Sequence, residues 1–278
     1  MRRLIGVLLV LVGAADARAQ QRPLVTEDPE TIGAGRVLVE AGLDYGHDVL
    51  YPLSGLKGNR KGFPIVGVSV GISSIAEIQF DGGWNRLAIT ERRPAPFAAV
   101  VTATGASTSS VEDIVMATKV RLVPEGTLRP AVGLRFATRL PNASNESGLG
   151  LDTTDFHAVI LVAKTVQSVR VVSNVGLGIL GDPTRGDNQN DVLLYGASFA
   201  RALTDAAEVV GEVNGRVSTR RGEPPPGTES RSLLRFGGRY TNGLLRLDGA
   251  LVVGLTSRDP GLGFSVGFTY VFSAFKIP

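Results

Sequence analysis

Cysteine is absent from the 278 residues, and only two histidines, two methionines and one tryptophan are present. Without cysteine there is no disulfide framework, no thiolate nucleophile and no thiolate metal ligand. Two histidines, His47 and His157, are too few for a clustered metal centre, so neither metal nor cofactor is expected. After residue 20 no apolar run approaches the roughly eighteen residues of a membrane-spanning helix. Charge of one sign is also scarce: 29 basic against 26 acidic residues give +3. Three arginines (Arg2, Arg3, Arg18) and one aspartate (Asp16) fall in the first 19 residues, so the remainder carries 3 − 2 = +1. That balance leaves no nucleic-acid footprint.

What is present begins with a leader. Arg2 and Arg3 precede a short apolar run, Leu4 to Ala15, and Ala17-Arg18-Ala19 supplies an A-x-A cleavage pattern. Residues 1–19 are therefore read as a signal peptide, with cleavage after Ala19.

Glycine is abundant, at 35 residues, and most of the chain alternates with period two. In Leu262 to Phe272 the large side chains Leu262, Phe264, Val266, Phe268, Tyr270 and Phe272 share one face, and Gly263, Ser265, Gly267 and Thr269 share the other. Period two places successive side chains on opposite sides of a pleated strand. Only Val271 breaks the pattern. The same two-faced reading gives twelve strands, near 36–46, 63–72, 75–87, 111–122, 128–139, 154–165, 168–180, 190–201, 206–218, 230–241, 244–256 and 262–272. Short turns alternate with longer Gly-, Pro-, Ser- and Asn-rich connections, the last connection being the short exception. One strand, 154–165, is ambiguous: His157, Val159 and Leu161 share a face, and so do Phe156, Ile160 and Lys164.

A soluble β-sandwich also alternates, with its apolar face inward. The alternation of short and long connections, the even strand number and the strand length of about ten residues favour a membrane barrel. The expected fold is all-β, a transmembrane antiparallel up-and-down barrel of about twelve strands. It divides into the signal peptide 1–19, an N-terminal periplasmic segment or plug at 20–35, the barrel at 36–272 and a C-terminal extension at 273–278.

Two stretches carry resemblances. Ser265, Gly267, Tyr270 and Phe272 resemble the assembly signal of outer-membrane proteins, although the chain continues for six residues beyond Phe272. Thr26-Glu27-Asp28, followed by Gly35-Arg36-Val37-Leu38-Val39-Glu40, resembles bacterial outer-membrane β-barrel proteins of the phenol meta-pathway or transporter group. The resemblance implies a channel in a Gram-negative outer membrane, for small solutes of hydrophobic or aromatic kind. Its expected partners are outer-membrane lipids and lipopolysaccharide, the barrel assembly machinery and a small-molecule solute. Thr26-Glu27-Asp28 reads either as a capped turn feeding the first strand or as part of a plug.

Charges on the polar faces are the main functional clue, because a mid-membrane Arg or Lys facing lipid costs about 2–4 kcal/mol. Glu40, Asp44, Glu77, Asp81, Asp113, Glu208, Glu212 and Asp248 are assigned to the lumen. So are Lys119, Arg121, Arg129, Arg135, Arg139, Arg170, Arg216, Arg235, Arg239 and Arg246. The first three strands are acidic, and the fourth, fifth and seventh are basic. Either neighbouring strands pair these charges into a salt-bridged filling, or an acidic wall faces a basic one across water. The second arrangement would set Glu77 and Asp81 against Arg135, Arg139 and Arg170.

Catalysis has little footing. No G-x-S-x-G motif occurs, and a Ser–His–acid set would have to use His47, at the mouth of the first loop, or His157. The chain is read as a non-enzyme. A lipid-modifying hydrolase and a structural or adhesive barrel with a sealed lumen are the alternatives. Gly176 to Gly181 matches G-x-G-x-x-G but lies within a strand and opens no helix. The oxygen-rich stretch Asp182 to Asp191 lacks EF-hand spacing and reads as a solvated loop. Arg220-Arg221 beside Pro224-Pro225-Pro226 marks a stiff exposed loop suited to lipopolysaccharide phosphates.

Overall fold

A computed structural model describes residues 22–276; the expected signal peptide lies outside the described residues. Thirteen strand segments follow one another: β1 (Arg36–Tyr51), β2 (Leu56–Gly71), β3 (Ala76–Arg92), β4 (Ser107–Val111), β5 (Ile114–Val123), β6 (Ala131–Leu140), β7 (Asp155–Val166), β8 (Val169–Gly181), β9 (Gln189–Ala202), β10 (Ala207–Ser218), β11 (Arg231–Asn242), β12 (Leu245–Gly254) and β13 (Leu262–Ser273). β4 and β5 are two pieces of one barrel strand. β4 pairs with the far part of β3 (Trp84 opposite Val111) and β5 with the near part (Asp81 opposite Val115). Every strand pairs antiparallel with its chain neighbour, and β1 pairs with β13, so twelve strands close into a ring with no free edge. Closure satisfies all ladder groups, the condition a sheet must meet in lipid.

The two faces follow the alternation. Phe80, Phe136, Phe156, Leu177, Phe236, Leu251 and Phe268 are exposed on the outside, and together with their neighbours they form an apolar band too large for a water-facing surface. The ambiguous strand resolves here: Leu161 and Ala163 are buried, while Phe156 and Ile160 face out. Lys164 shares their outer face near the short-turn rim, and its ammonium reaches the Gly126 and Thr127 carbonyls at 2.6 and 3.0 Å. Val271, which interrupts the pattern of the last strand, turns inward and packs with Ile32 and Leu38.

Connections 72–75, 124–130, 167–168, 203–206 and 243–244 form the short-turn rim. Connections 93–106, 141–154, 182–188, 219–230 and 255–261 form the other. The expected long first loop is not there. β1 and β2 run on to a tight turn at 52–55. Bulges at Gly42/Asp44, Gly46/Val49 and Gly62/Ile65 break the period there, and Asp48 takes a left-handed φ of 59°. The bulges and polar residues such as Lys57, Asn59 and Lys61 interrupt the alternation, so the extension reads as loop. His47 consequently lies in β1, with Nδ1 2.8 Å from Asn59 Oδ1, rather than at a loop mouth.

One lumen assignment needs correction. The expected strand places Arg129 in the lumen; it sits exposed in the 124–130 turn, because the sheet resumes only at Ala131. Asp113 lies at the break between β4 and β5 and lines the lumen cavity, and its Oδ1 accepts the Asn142 and Ala143 amides at 3.1 and 2.9 Å.

Candidate functional site: the barrel lumen

The chain enters the lumen from the foot of β1. Gly33 and Gly35 hold φ of 90° and 72°, and the Gly35 amide donates to the Gly71 carbonyl at 2.8 Å. The left-handed backbone there favours glycine and turns residues 22–32 back into the barrel. The Ile32 amide donates to Glu77 Oε2 at 2.7 Å, and Thr31 Oγ1 donates to the Ser74 carbonyl at 3.1 Å. Above them a series of ion pairs fastens the segment to one wall. Glu30 pairs with Arg121. Asp28 receives a two-pronged grip from Arg170, Nε at 2.8 Å and Nη2 at 2.7 Å. Glu27 meets Lys119 Nζ at 3.2 Å and Arg135 Nε at 3.0 Å. The backbone of Glu27 exchanges hydrogen bonds with the Asn174 amide, at 2.7 and 2.8 Å. Burial pushes the Glu27 carboxyl up, but Lys119 and Arg135 outweigh it and hold the group below the usual carboxylate range.

The segment then crosses toward β10 and the β12–β13–β1 side. The Val25 and Thr26 amides donate to the Glu212 carboxylate, the former at 2.8 Å. The Arg22 guanidinium donates to Ser265 Oγ and to the Val266 carbonyl, both at 3.0 Å, and stands 3.6 Å from Asp44 and 3.5 Å from Asp248. Arg239 Nε donates to the Arg22 carbonyl at 2.8 Å. Gly42 and Gly267, opposite each other in register, leave room for this side chain. A Cβ on either would stand 2.3 or 2.6 Å from the guanidinium.

The remaining lumen charges pair mainly within the barrel. Lys119, wholly buried, also meets Glu77 at 3.0 Å. Arg139 joins Asp113 at 2.6 Å to Asp155. Arg235 holds Glu212 at 2.9 Å and Asn214 at 2.7 Å. Arg239 and Arg246 lie 3.8 and 3.9 Å from Glu208, and Thr269 Oγ1 donates to Glu40 at 3.0 Å. Arg216 donates to the Glu229 and Gly227 carbonyls, at 2.9 and 2.6 Å, tying down the 219–230 loop. The expected opposition of Glu77 and Asp81 to Arg135, Arg139 and Arg170 is not what forms. Glu77 pairs with adjacent Lys119, and Asp81 reaches only Arg135, at 3.9 Å. The anions that Arg135 and Arg170 take come from the N-terminal segment and from Glu125.

Above the segment, toward the long-loop rim, a cavity of about 450 Å³ opens. Arg22, Leu24 and Glu27 form its floor, and Glu40, Asp81, Arg135, His157 and Arg235 stand in its walls. The wall charges Glu40, Asp81, Arg135 and Arg235 are among those assigned to the lumen from sequence, whereas Arg22, Glu30 and Asn174 are not. Thr26-Glu27-Asp28 was the available signal. It was also read as a capped turn, and a cap is present: Asp28 Oδ1 accepts the Glu30 amide at 2.9 Å. In the oxygen-rich loop, Asp182 Oδ1 accepts from Thr184, amide at 2.9 Å and hydroxyl at 2.7 Å. Among the described residues no group of acidic and histidine side chains is arranged to hold a metal ion. In the last strand, Ser265 and Gly267 contact Arg22, while Tyr270 stacks on Phe272 at 5.8 Å.

No protein-family model matches the chain, and no curated protein matches it. Solved structures do. A crystal structure of an outer membrane channel from Pseudomonas putida F1 superposes with a TM-score of 0.62 at 12% identity, over 88% of this chain and 98% of that one. The translocator domain of the autotransporter NalP from Neisseria meningitidis gives 0.48 at 14% identity, over 86% and 89%. A TodX monoaromatic hydrocarbon channel gives 0.42 at 10% identity, over 90% and 93%. The first likeness is one of fold: this chain has the closed antiparallel barrel architecture of an outer-membrane protein.

Proposed function

We propose that the protein is an outer-membrane channel that passes small solutes passively through a narrow charged lumen, with the N-terminal segment as its plug. The observation that carries this reading is the course of residues 22–32, which cross the lumen beneath an open cavity and are held there by ion pairs. The apolar outer band fits lipid, and the short-turn rim with the N-terminal entry fits the periplasmic side. The other rim then faces outward, where its polar loops would meet lipopolysaccharide, and the last strand would present the assembly signal. The fold likeness to an outer membrane channel and the Thr26-Glu27-Asp28 resemblance point the same way. Aromatic and hydrophobic solutes remain the class implied by that resemblance; Leu24, Val25, Ile65 and Leu233 give the cavity apolar surface for them.

Single-channel conductance of the refolded protein in a planar lipid bilayer tests the reading. The full mature chain should show small or infrequent steps, and deletion of residues 20–35 should raise the conductance clearly. A folded deletion variant that conducts no better than the parent would overturn the plug. Silence from both would overturn the channel.

A further inference from the structure

We propose that the cationic strip on the β5–β8 wall is a binding site for small organic carboxylates, and that the chain's own residues 27–30 occupy it at rest. The inference rests on the plug reading and adds the chemistry of what displaces the plug. Four cations form the strip: Lys119, Arg121, Arg135 and Arg170. Each takes a carboxylate from the N-terminal segment, Glu27 serving two of them, and Asp28 and Glu30 one each.

Other lumen cations are neutralised differently. Arg60 pairs with Glu112, Arg139 with Asp113 and Asp155, and Arg235 with Glu212, all partners built into the barrel or its loops. The strip alone, among these, borrows its anions from a segment outside the sheet. Once the segment leaves, Arg121 keeps the Ser74 carbonyl, and Arg135 keeps Gln79 at 2.8 Å and Asp81 only at 3.9 Å. Two guanidiniums are then left without a close carboxylate. A guanidinium presents a planar fork that matches a carboxylate, and the two parallel bonds from Arg170 to Asp28 display that match. The segment takes away three carboxylates and one guanidinium, Arg22, so the lumen gains 3 − 1 = 2 positive charges. The strip is reachable, because Arg135 and Glu27 both line the open cavity. A carboxylate arriving there meets Arg135 first and competes with Glu27 for it.

The cysteine-free sequence permits a clean test on the full chain. Thr26→Cys places a thiol at a position now buried beside Gly196. Its labelling by N-ethylmaleimide is followed with succinate, with uncharged succinamide and with sodium chloride at matched ionic strength. Labelling should rise about tenfold at a succinate concentration about ten times its dissociation constant, since the displaced state gains weight in proportion to ligand bound. Succinamide and chloride should leave it unchanged, and Arg121→Gln with Arg135→Gln should abolish the succinate response. An equal rise with chloride would reduce the effect to screening and overturn the site. No rise with succinate, while deletion of 20–35 still opens the channel, would overturn the site and leave the plug standing. Failure of that deletion to raise conductance would instead strike the plug reading itself. If Thr26→Cys does not fold, open probability of the unmodified chain under the same three solutes gives the same decision.

Discussion

Two charges in the lumen, one packed under the N-terminal segment and one beside the cavity, are treated in opposite ways. In the half near the short turns, Lys119 has no exposed surface and lies between Glu27 and Glu77. In the half near the long loops, the Asp81 side chain keeps 51% of its surface and reaches a cation only at 3.9 Å. Around Lys119 the segment excludes water and supplies a close partner, because an unpaired buried ion costs several kcal/mol. Beside the cavity Asp81 stands apart, although Arg60 and Arg139 keep carboxylates at 3.2 and 2.6 Å. The packed part therefore favours stability, and the open part leaves the cavity.

The sharpest way to break that contrast is Lys119→Met. It leaves Glu27 and Glu77 facing each other without their shared cation, and about 3–5 kcal/mol of stability should be lost. The unfolding midpoint in detergent micelles would show it; a change under 1 kcal/mol would mean that the packed half is wetter than described. Phe236→Arg acts on the other surface. A charge in the lipid-facing band should cost about 2–4 kcal/mol and leave unit conductance unchanged, which separates the outer face from the lumen. Gly267→Ala is milder. Its Cβ would stand 2.6 Å from both the Arg22 guanidinium and the Ala41 carbonyl, for about 1–3 kcal/mol of crowding. Bilayer recordings should show more frequent openings if the N-terminal segment is the plug proposed above.

The smallest effect concerns acid. Burial acts to raise the Glu125 carboxyl, but the Thr165 amide, Lys164 and Arg170 overcome it and bring it down to about 2. A carboxyl lowered in the folded state stabilises fully above its ordinary value near 4.5 and loses that contribution as pH falls toward 2. Stability of the parent should thus decline more steeply than that of Glu125→Gln between those limits. Parallel curves would remove Glu125 from the network.

The barrel was legible because its faces repeat with period two: Phe264 and Phe268 outward, Ser265 and Thr269 inward. Alternation fails across the bulges of β1 and β2, which is why Lys57 to Lys61 read as loop. The lumen is harder to read for a different reason. Residues 22–32 have no period at all, and an extended segment takes its course from partners more than a hundred residues away, such as Arg170 and Asn174. Charge segregation could be seen in the strands, but not that Glu27 and Asp28 would supply the opposing charge. Even Val271, an apparent flaw in the last strand, needed Ile32 and Leu38 to make sense.

Arg22 rests on the seam where the first strand meets the last. Its partners Asp44, Ser265 and Val266 belong to β1 and β13, and Asp248 to the adjoining β12. That cradle comes into being only when the two ends of the sheet join. Seating of Arg22 therefore requires a closed ring: a sheet still open has no complete cradle for it.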